Sequence, residues 1–372
     1  MTLDKYKSFR KQQVTRVNLT KKLNMREIAR SANVSVATVS RALRNPEQVS
    51  PKTVAKVRKE VEALGYVYNV TARDVLKGRS TIVGLLVPTS SSTLFGETIH
   101  GVQDVTTEAG FSVIQGSTRY DDANEAALIE SMLERRVHSM ILTGVAFQNE
   151  ERLRKIARDQ WSRLVMVWEK PRADMGISYV GIDNRFAAQR MTHHLIELGH
   201  RRIGIIVGPY SRTARVKHRL EGYRDTLEEA GIAFDPELVM ERCPDLLEGR
   251  EAMDMLMNLE DRPTAVFAAS DLFAIGALKA AKQRGMSVPD DVSIAGFDDM
   301  NFGAYQDPPI TTVHVDAYRI GKLAAEIAVE PIGTPERSYC LDCELIIRGS
   351  TGPYKPKTTT NKLAKVWEDK SK

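Results

Sequence analysis

The sequence predicts a three-helix helix-turn-helix head with a hinge helix, followed by an α/β core of two lobes built on parallel sheets. Three observations predict it. Two short helical patterns separated by a tight turn lie near the start of the 372 residues. After residue 80, strand-length apolar runs alternate with amphipathic helical stretches. Positive charge is concentrated ahead of that change.

In the head, "MREIARSANV" reads as a short helix from Met25 to Ala32 that turns at Asn33 and Val34. "VSVATVSRAL" reads as a second, with Ser35 as N-cap because its hydroxyl can accept from a free first-turn N–H. Helical spacing then puts Val36, Val39 and Leu43 on one side and Ala37, Arg41 and Arg44 on the other. Ser50 and Pro51 start a third helix, in which Val54, Val57, Val61 and Leu64 recur up to Gly65. It supplies the surface against which the first two are buried. "NVTARDVLKG" (69–78) has a capping Asn69 and a terminal Gly78, and is too short to hold a helix alone in water.

Charge separates the same regions. Residues 1–80 hold 18 Lys+Arg against 6 Asp+Glu, net +12, and the rest holds 35 against 42, net −7. A concentrated positive field is what phosphate neutralisation requires. No stretch is apolar enough to span a membrane, and the first 25 residues lack a hydrophobic signal core, so a cytoplasmic location is expected. Cys340 and Cys343 form a C-x-x-C, but "SYCLDCELII" reads as one strand, on which positions three apart face opposite ways. No disulfide, metal or other cofactor is expected.

In the body the strand candidates are "TIVGLLV", "FSVIQG", "SMILT", "RLVMVW", "YVGI", "RIGIIV", "TAVFAAS", "VSIAGF" and "CELIIR". Helical patterns over 96–109, 122–136, 184–198, 213–230 and 270–284 lie between them, and so many strands suggest two lobes. Ligands of open parallel sheets bind beyond the carboxyl ends of the strands. Those ends carry Phe95, Trp168, Asp183, Arg212, Asp271 and Asp298. An aromatic face, hydroxyl acceptors and cations suit a polyhydroxylated or charged small molecule. Arg215 and Arg219 are i,i+4 neighbours on the helix near 213, where the helix dipole also favours an anion. A sugar acid or phosphorylated sugar is therefore the expected ligand, and a neutral sugar or a purine stacked on Trp168 and Phe95 is the alternative. No dinucleotide-binding, P-loop or nucleophile-elbow motif is present, and His193, His194 and His200 have no carboxylate cluster at ligand spacing, so no enzyme is expected.

Over about 25–352 these pieces, in this order, resemble the lactose-repressor (LacI/GalR) family of bacterial transcription regulators. The resemblance rests on "IARSANVSVATVSRALRNPEQVS", "EALGY", "LIELGHRRIG", "RPTAVFAASDLFAIGALKAAKQRGMSVPDDVSIAGFDD" and "ITTVHVD". "LRNPEQVS" and "ESMLERRVHSMILT" look like its gluconate-responsive branch. The resemblance implies a core like the periplasmic sugar-binding proteins, a homodimer, and a pseudo-palindromic double-stranded operator. It puts base reading on Val36 and Ala37, with Thr38 and Arg41 at neighbouring contacts. With Ser35, Ser40, Arg44 and the hinge residues Arg73, Val75 and Leu76, these make up the expected DNA-binding set. It puts effector contacts on Phe95, Trp168, Asp183, Arg219, Asp271 and Asp298, with Arg212 a looser match.

The chain departs from the family in three places. Residues 1–22 precede the usual head, Tyr68 replaces the proline usual before the hinge, and the leucine that wedges the minor groove aligns with Val75, next to Leu76. The expected organisation is a disordered basic arm (1–22), the head (23–66), hinge and linker (67–80), the effector-binding and dimerisation core (81–352) and a polar tail (353–372). The expected function is a ligand-controlled transcriptional regulator, in the first instance a repressor. The rival is a sugar or solute receptor, or a transport component, with no DNA role.

Overall fold

The computed structural model describes residues 24–66, 80–89, 92–144, 149–211 and 213–356. The hinge segment with Arg73, Val75 and Leu76, and also Arg212, residues 1–22 and the end of the tail, lie outside the described residues. The chain divides into two compact units after Gly78.

The first unit contains α1 (Met25–Ser31), α2 (Val36–Arg44) and α3 (Pro51–Leu64). Each start is fixed by its own sequence. The Asn24 side chain accepts from the Arg26 and Glu27 N–H groups, and Glu27 accepts from the Asn24 N–H in return. Ser35 Oγ accepts the Thr38 N–H at 3.0 Å, and Ser50 Oγ the Thr53 N–H at 3.3 Å. α3 ends at Gly65 with φ 63°, the left-handed conformation glycine takes at no steric cost. Ile28, Ala29, Ala32, Val39, Ala42, Val54 and Val57 make the core. The apolar side of α2 is therefore Val39 and Ala42. Val36, assigned to that side by spacing, is 41 % exposed. It is the first residue of α2, one turn before Val39, where neither α1 nor α3 covers it.

The second unit has two lobes. In lobe 1, β1 (Ile82–Val87), β2 (Ser112–Ser117), β3 (Ser139–Thr143), β4 (Arg163–Val167), β5 (Ser178–Ile182) and β11 (Ser338–Leu341) form an all-parallel sheet, ordered β11-β5-β4-β3-β1-β2. Its helices are α4 (Thr93–Glu108), α5 (Asp122–Glu134), α6 (Glu150–Arg158) and α12 (Ala317–Ala328). In lobe 2, β6 (Ile203–Val207), β7 (Val239–Glu241), β8 (Ala265–Ala268) and β9 (Ser293–Ala295) form a parallel sheet, ordered β7-β6-β8-β9. Its helices are α7 (Asn184–Glu197), α8 (Ala214–Glu229), α9 (Leu246–Met257), α10 (Asp271–Gln283) and the short α11 (Asn301–Ala304). β10 (Thr312–His314) and β12 (Glu344–Ile346) pair antiparallel beside it, and bridges Ala295–Thr311 and Asp298–His314 join β10 to the end of β9.

Strands buried on both faces need uninterrupted apolar sequence, and β3, β4, β5 and β6 are buried at every position. One core cluster runs through both lobes, from Val83 and Val165 to Ile205 and Phe267. Each lobe adds a cluster on its far face, around Met140 and Ile156 in lobe 1 and around Met253 and Ala277 in lobe 2.

The chain crosses between lobes three times, after β5, after β10, and between β11 and β12. The last crossing corrects the reading of "SYCLDCELII" as one strand. It is two strands in two sheets, broken at Asp342 and Cys343. The tail also begins later than composition suggests, since the Tyr354 N–H donates to the Leu198 carbonyl and Lys355 pairs with Asp290.

Candidate functional site

Two places collect the residues singled out by sequence. On the head, Val36, Ala37 and Arg41 lie exposed on α2, with Ser40 and Arg44 half-buried beside them. Ser35 and Thr38 are tied to each other, Oγ to Oγ1 at 2.8 Å, so both hydroxyls serve the cap. The tight turn before α2 holds Asn33 at φ 46°. The result is a rigid two-helix corner that presents small side chains and an arginine, a shape that fits a DNA major groove.

In the core, the carboxyl ends of β2, β3 and β4 in lobe 1 meet α8 and the loops after β8 and β9 in lobe 2. Phe95 and Trp168 are 4 % and 1 % exposed and meet edge to face, with centroids 6.0 Å apart. The indole Nε1 of Trp168 has no hydrogen-bond partner among the described residues. Arg215 lies 6.0 Å from the Phe95 ring, and its Nη1 donates to the Thr143 carbonyl at 3.1 Å. Gly144 makes room for it: φ is 72°, and a Cβ there would stand 2.5 Å from Arg215 Nη1.

One turn on, Arg219 is held from four directions. Nε donates to Asn184 Oδ1 at 2.9 Å and Nη1 to the Ala269 carbonyl at 2.7 Å. Nη2 is 3.4 Å from Asp298 Oδ1, and the guanidinium covers the Phe297 ring at 3.6 Å. Asp298 also accepts from Ser270 Oγ at 3.0 Å. Burial pushes its carboxyl up from the ordinary range, opposed by Arg219.

Backbone strain gathers here as well. Tyr120 (φ 55°), Trp168 (φ 73°), Asp298 (φ 106°) and Asp299 (φ 52°) are non-glycine residues in left-handed conformations at strand ends. Each such residue costs about 1–3 kcal/mol and persists where surrounding structure over-determines it.

Two aspartates of the expected effector set have other work. Asp271 is wholly buried, with Oδ1 accepting from Thr312 Oγ1 and Oδ2 from the Met300 N–H, both at 2.7 Å. Its carboxyl points back into the loop before α11, because Gly296 leaves space for it: a Cβ there would be 2.0 Å from Asp271 Oδ1. The structure corrects the expectation of an effector contact at Asp271 to a stitch within lobe 2. Asp183 caps α7 by accepting the Phe186 N–H at 3.1 Å and pairs with Lys170 at 2.5 Å. Sequence reading missed Asn184, Ser270, Phe297, Glu169 and Tyr120. Asn184 and Ser270 adjoin residues that were chosen, so adjacency to a strand-end aspartate was the available signal. His200, read as structural, donates or accepts with Thr264, Ser293 and the Gly352 carbonyl inside lobe 2.

Comparison with known proteins identifies the family. Residues 24–69 match the description "Bacterial regulatory proteins, lacI family", and 192–351 match a periplasmic binding protein-like domain. The HTH-type transcriptional repressor CytR of Escherichia coli K12 is 34 % identical over 333 residues, 88 % of this chain and 96 % of CytR. The chain belongs to the LacI family. It is a DNA-binding transcription regulator and not an enzyme. Among solved structures, a LacI-family regulator from Silicibacter pomeroyi superposes with TM-score 0.80 at 26 % identity, covering 88 % of this chain and 99 % of that one. A complex of the transcriptional regulator CelR with cellobiose superposes at 0.64 with 30 % identity, over 88 % and 99 %. The receptor alternative, which had no DNA role, is set aside by the match of the head. Among the described residues no helix is long and apolar enough to cross a membrane, and no group of His, Cys, Asp or Glu could hold a metal.

Proposed function

We propose that this LacI-family regulator is a homodimeric repressor whose operator affinity is set by a sugar acid or sugar derivative bound between the core lobes. The carrying observation is convergence: Phe95 and Trp168 from lobe 1 meet Arg215 from lobe 2, one turn from the Arg219–Asp298 pair, where the two lobes come into contact. A molecule that touches both lobes has different affinities for open and closed forms, and only that difference can bias DNA binding. The cellobiose complex of CelR supports a carbohydrate as the class of ligand. The two arginines support an acid, since a charged hydrogen bond to carboxylate contributes roughly 1.5–3 kcal/mol. Arg212, proposed as a further contact, lies outside the described residues.

Dimerisation is supported by large apolar side chains that lobe 2 leaves uncovered: Leu247 at 53 %, Phe302 at 58 % and Tyr305 at 86 % exposure. Two heads in one dimer would read the two half-sites of a pseudo-palindrome through Val36, Ala37 and Arg41.

Mobility shift of DNA upstream of the neighbouring operon, with and without metabolites, tests the repressor reading. Calorimetry with gluconate against glucose, and galacturonate against galactose, tests the effector. Tighter binding of the neutral member of each pair would remove the sugar acid.

A further inference from the structure

Helix α8 opens lobe 2's side of the cleft, yet Thr213 at its N-cap makes no side-chain capping bond. The cap comes from the other lobe. The Arg215 N–H, in the first turn of α8, donates to Glu169 Oε1 at 3.0 Å. Glu169 follows β4 in lobe 1 and is 6 % exposed. The Arg215 guanidinium reaches the same lobe through the Thr143 carbonyl.

A helix N-terminus joined to a guanidinium is a carboxylate-binding arrangement, and here a protein carboxylate fills it. The fit is imperfect. Burial pushes the Glu169 carboxyl up to about 7, with Arg215 opposing, so the charged form is incompletely compensated. Beside it Thr143, Gly144, Thr213 and Arg215 border a hollow of about 20 Å³, whose far side carries Asp121, Asp122 and Glu125. Thr143 is 5 % exposed, and its Oγ1 has no hydrogen-bond partner among the described residues.

Charge balance points the same way. Arg219 is paired with Asp298 within lobe 2, whereas Arg215 has no such partner in lobe 2 among the described residues, and the carboxylate that its backbone N–H and its charge act on, Glu169, belongs to lobe 1. With Asp121, Asp122 and Glu125 also bordering the hollow, an anion adds least negative charge beside Arg215 if it takes the place of a carboxylate already there. Glu169 is the one whose place opens when the lobes part.

We propose that Glu169 is a built-in stand-in for a ligand carboxylate, holding the start of α8 and Arg215 until an anionic ligand replaces it. On replacement the ligand's carboxylate accepts the Arg215 N–H and the guanidinium, and the Thr143 hydroxyl donates to it. Glu169 turns out to water, where its charge is fully solvated. This rests on the reading of the cleft as an acid-binding effector site. It adds that the site takes a carboxylate whatever sugar carries it.

Formate supplies the carboxylate alone. Thermal melting of the full chain is followed in sodium formate and in sodium chloride of equal ionic strength. Glu169→Ala should melt below the wild type and recover with formate in a saturable way. The wild type and Glu169→Gln, whose amide oxygen still accepts the N–H, should melt alike in both salts. Formamide should rescue nothing. If Glu169→Ala does not fold, Glu169→Ser gives the same comparison. Gluconate and galacturonate should bind Glu169→Ala about tenfold more tightly than wild type where the stand-in fills the site nine-tenths of the time. An alanine variant that melts like the wild type, or formate shifts equal in all three proteins, overturns the proposal. Formate rescue without binding of either sugar acid keeps the stand-in and removes those effectors. Sugar-acid binding indifferent to Glu169, without formate rescue, keeps the effector and removes the stand-in.

Discussion

Arg219 carries the electrostatics of lobe 2's cleft wall, since Asn184, Ala269 and Asp298 all depend on its donors. Its removal leaves a buried carboxylate without its cation, a loss of about 3–5 kcal/mol where one partner of a buried pair is deleted. Arg219→Ala should therefore lower core stability in urea denaturation by that order and abolish effector binding. Arg219→Ala combined with Asp298→Asn should recover stability without recovering the ligand. Arg41 is exposed on α2, and no hydrogen bond or ion pair of its side chain is found among the described residues. Arg41→Ala should leave helicity unchanged by circular dichroism and weaken operator binding by about 1–3 kcal/mol if the guanidinium reads a base. Residue type and strand-end position pointed to Phe95, Trp168 and Asp298, and helical i,i+4 spacing to Arg215 and Arg219, which the structure places near one another. Direction was not legible. Asp271 occupies an equivalent strand end, but the space above Gly296 turns its carboxyl inward. Glu169 follows Trp168 directly, and nothing in its spacing says that its partner is a helix of the other lobe.

At the scale of elements, α2 depends on a cap that sequence and structure place at the same residue. Ser35→Ala should destabilise the head by about 0.5–2 kcal/mol. Ser35→Asp should keep the melting temperature of the head while weakening operator binding, because a carboxylate there faces phosphates. Equal operator affinity for Ser35→Asp and wild type would place Ser35 away from the DNA. Long apolar strands such as β3 and β6 were readable because both faces are buried. β7 and β10 were not, because their three residues, Val-Met-Glu and Thr-Val-His, form no apolar run of strand length. The C-x-x-C run misled for a related reason. Its alternation continues through Asp342, and only the pairing partners, β5 on one side and β10 on the other, show the break.

For the whole molecule, proton linkage runs opposite to the usual acid case. Burial pushes Asp271 up to about 8 and Glu169 to about 7, so both bind protons more tightly folded than unfolded. The stability they contribute is full below their ordinary values near pH 4 and is lost as pH rises through about 7 and 8. Asp271→Asn keeps an acceptor for the Met300 N–H and turns an amide N–H toward the Thr312 hydroxyl, which accepts in place of donating, so it should gain stability over the wild type as pH rises. Denaturation midpoints of the two proteins between about pH 5 and 9 should diverge; parallel curves would show that Asp271 does not titrate there. Assembly is a second property at this scale. "NKLAKVWEDKSK" has no sustained heptad, so light scattering should find a dimer, and a stable tetramer at micromolar concentration would refute this.

The three crossings also set a schedule for synthesis. Lobe 1 is begun first, yet α12 and β11, which complete it, come from residues 317–341. Until they leave the ribosome, β5 is an open parallel edge of an apolar sheet, and α12, one of the four helices that cover the shared core, is missing. Such edges pair with other chains when left waiting. The head, a compact unit with a core of its own, is complete in sequence long before lobe 1 is.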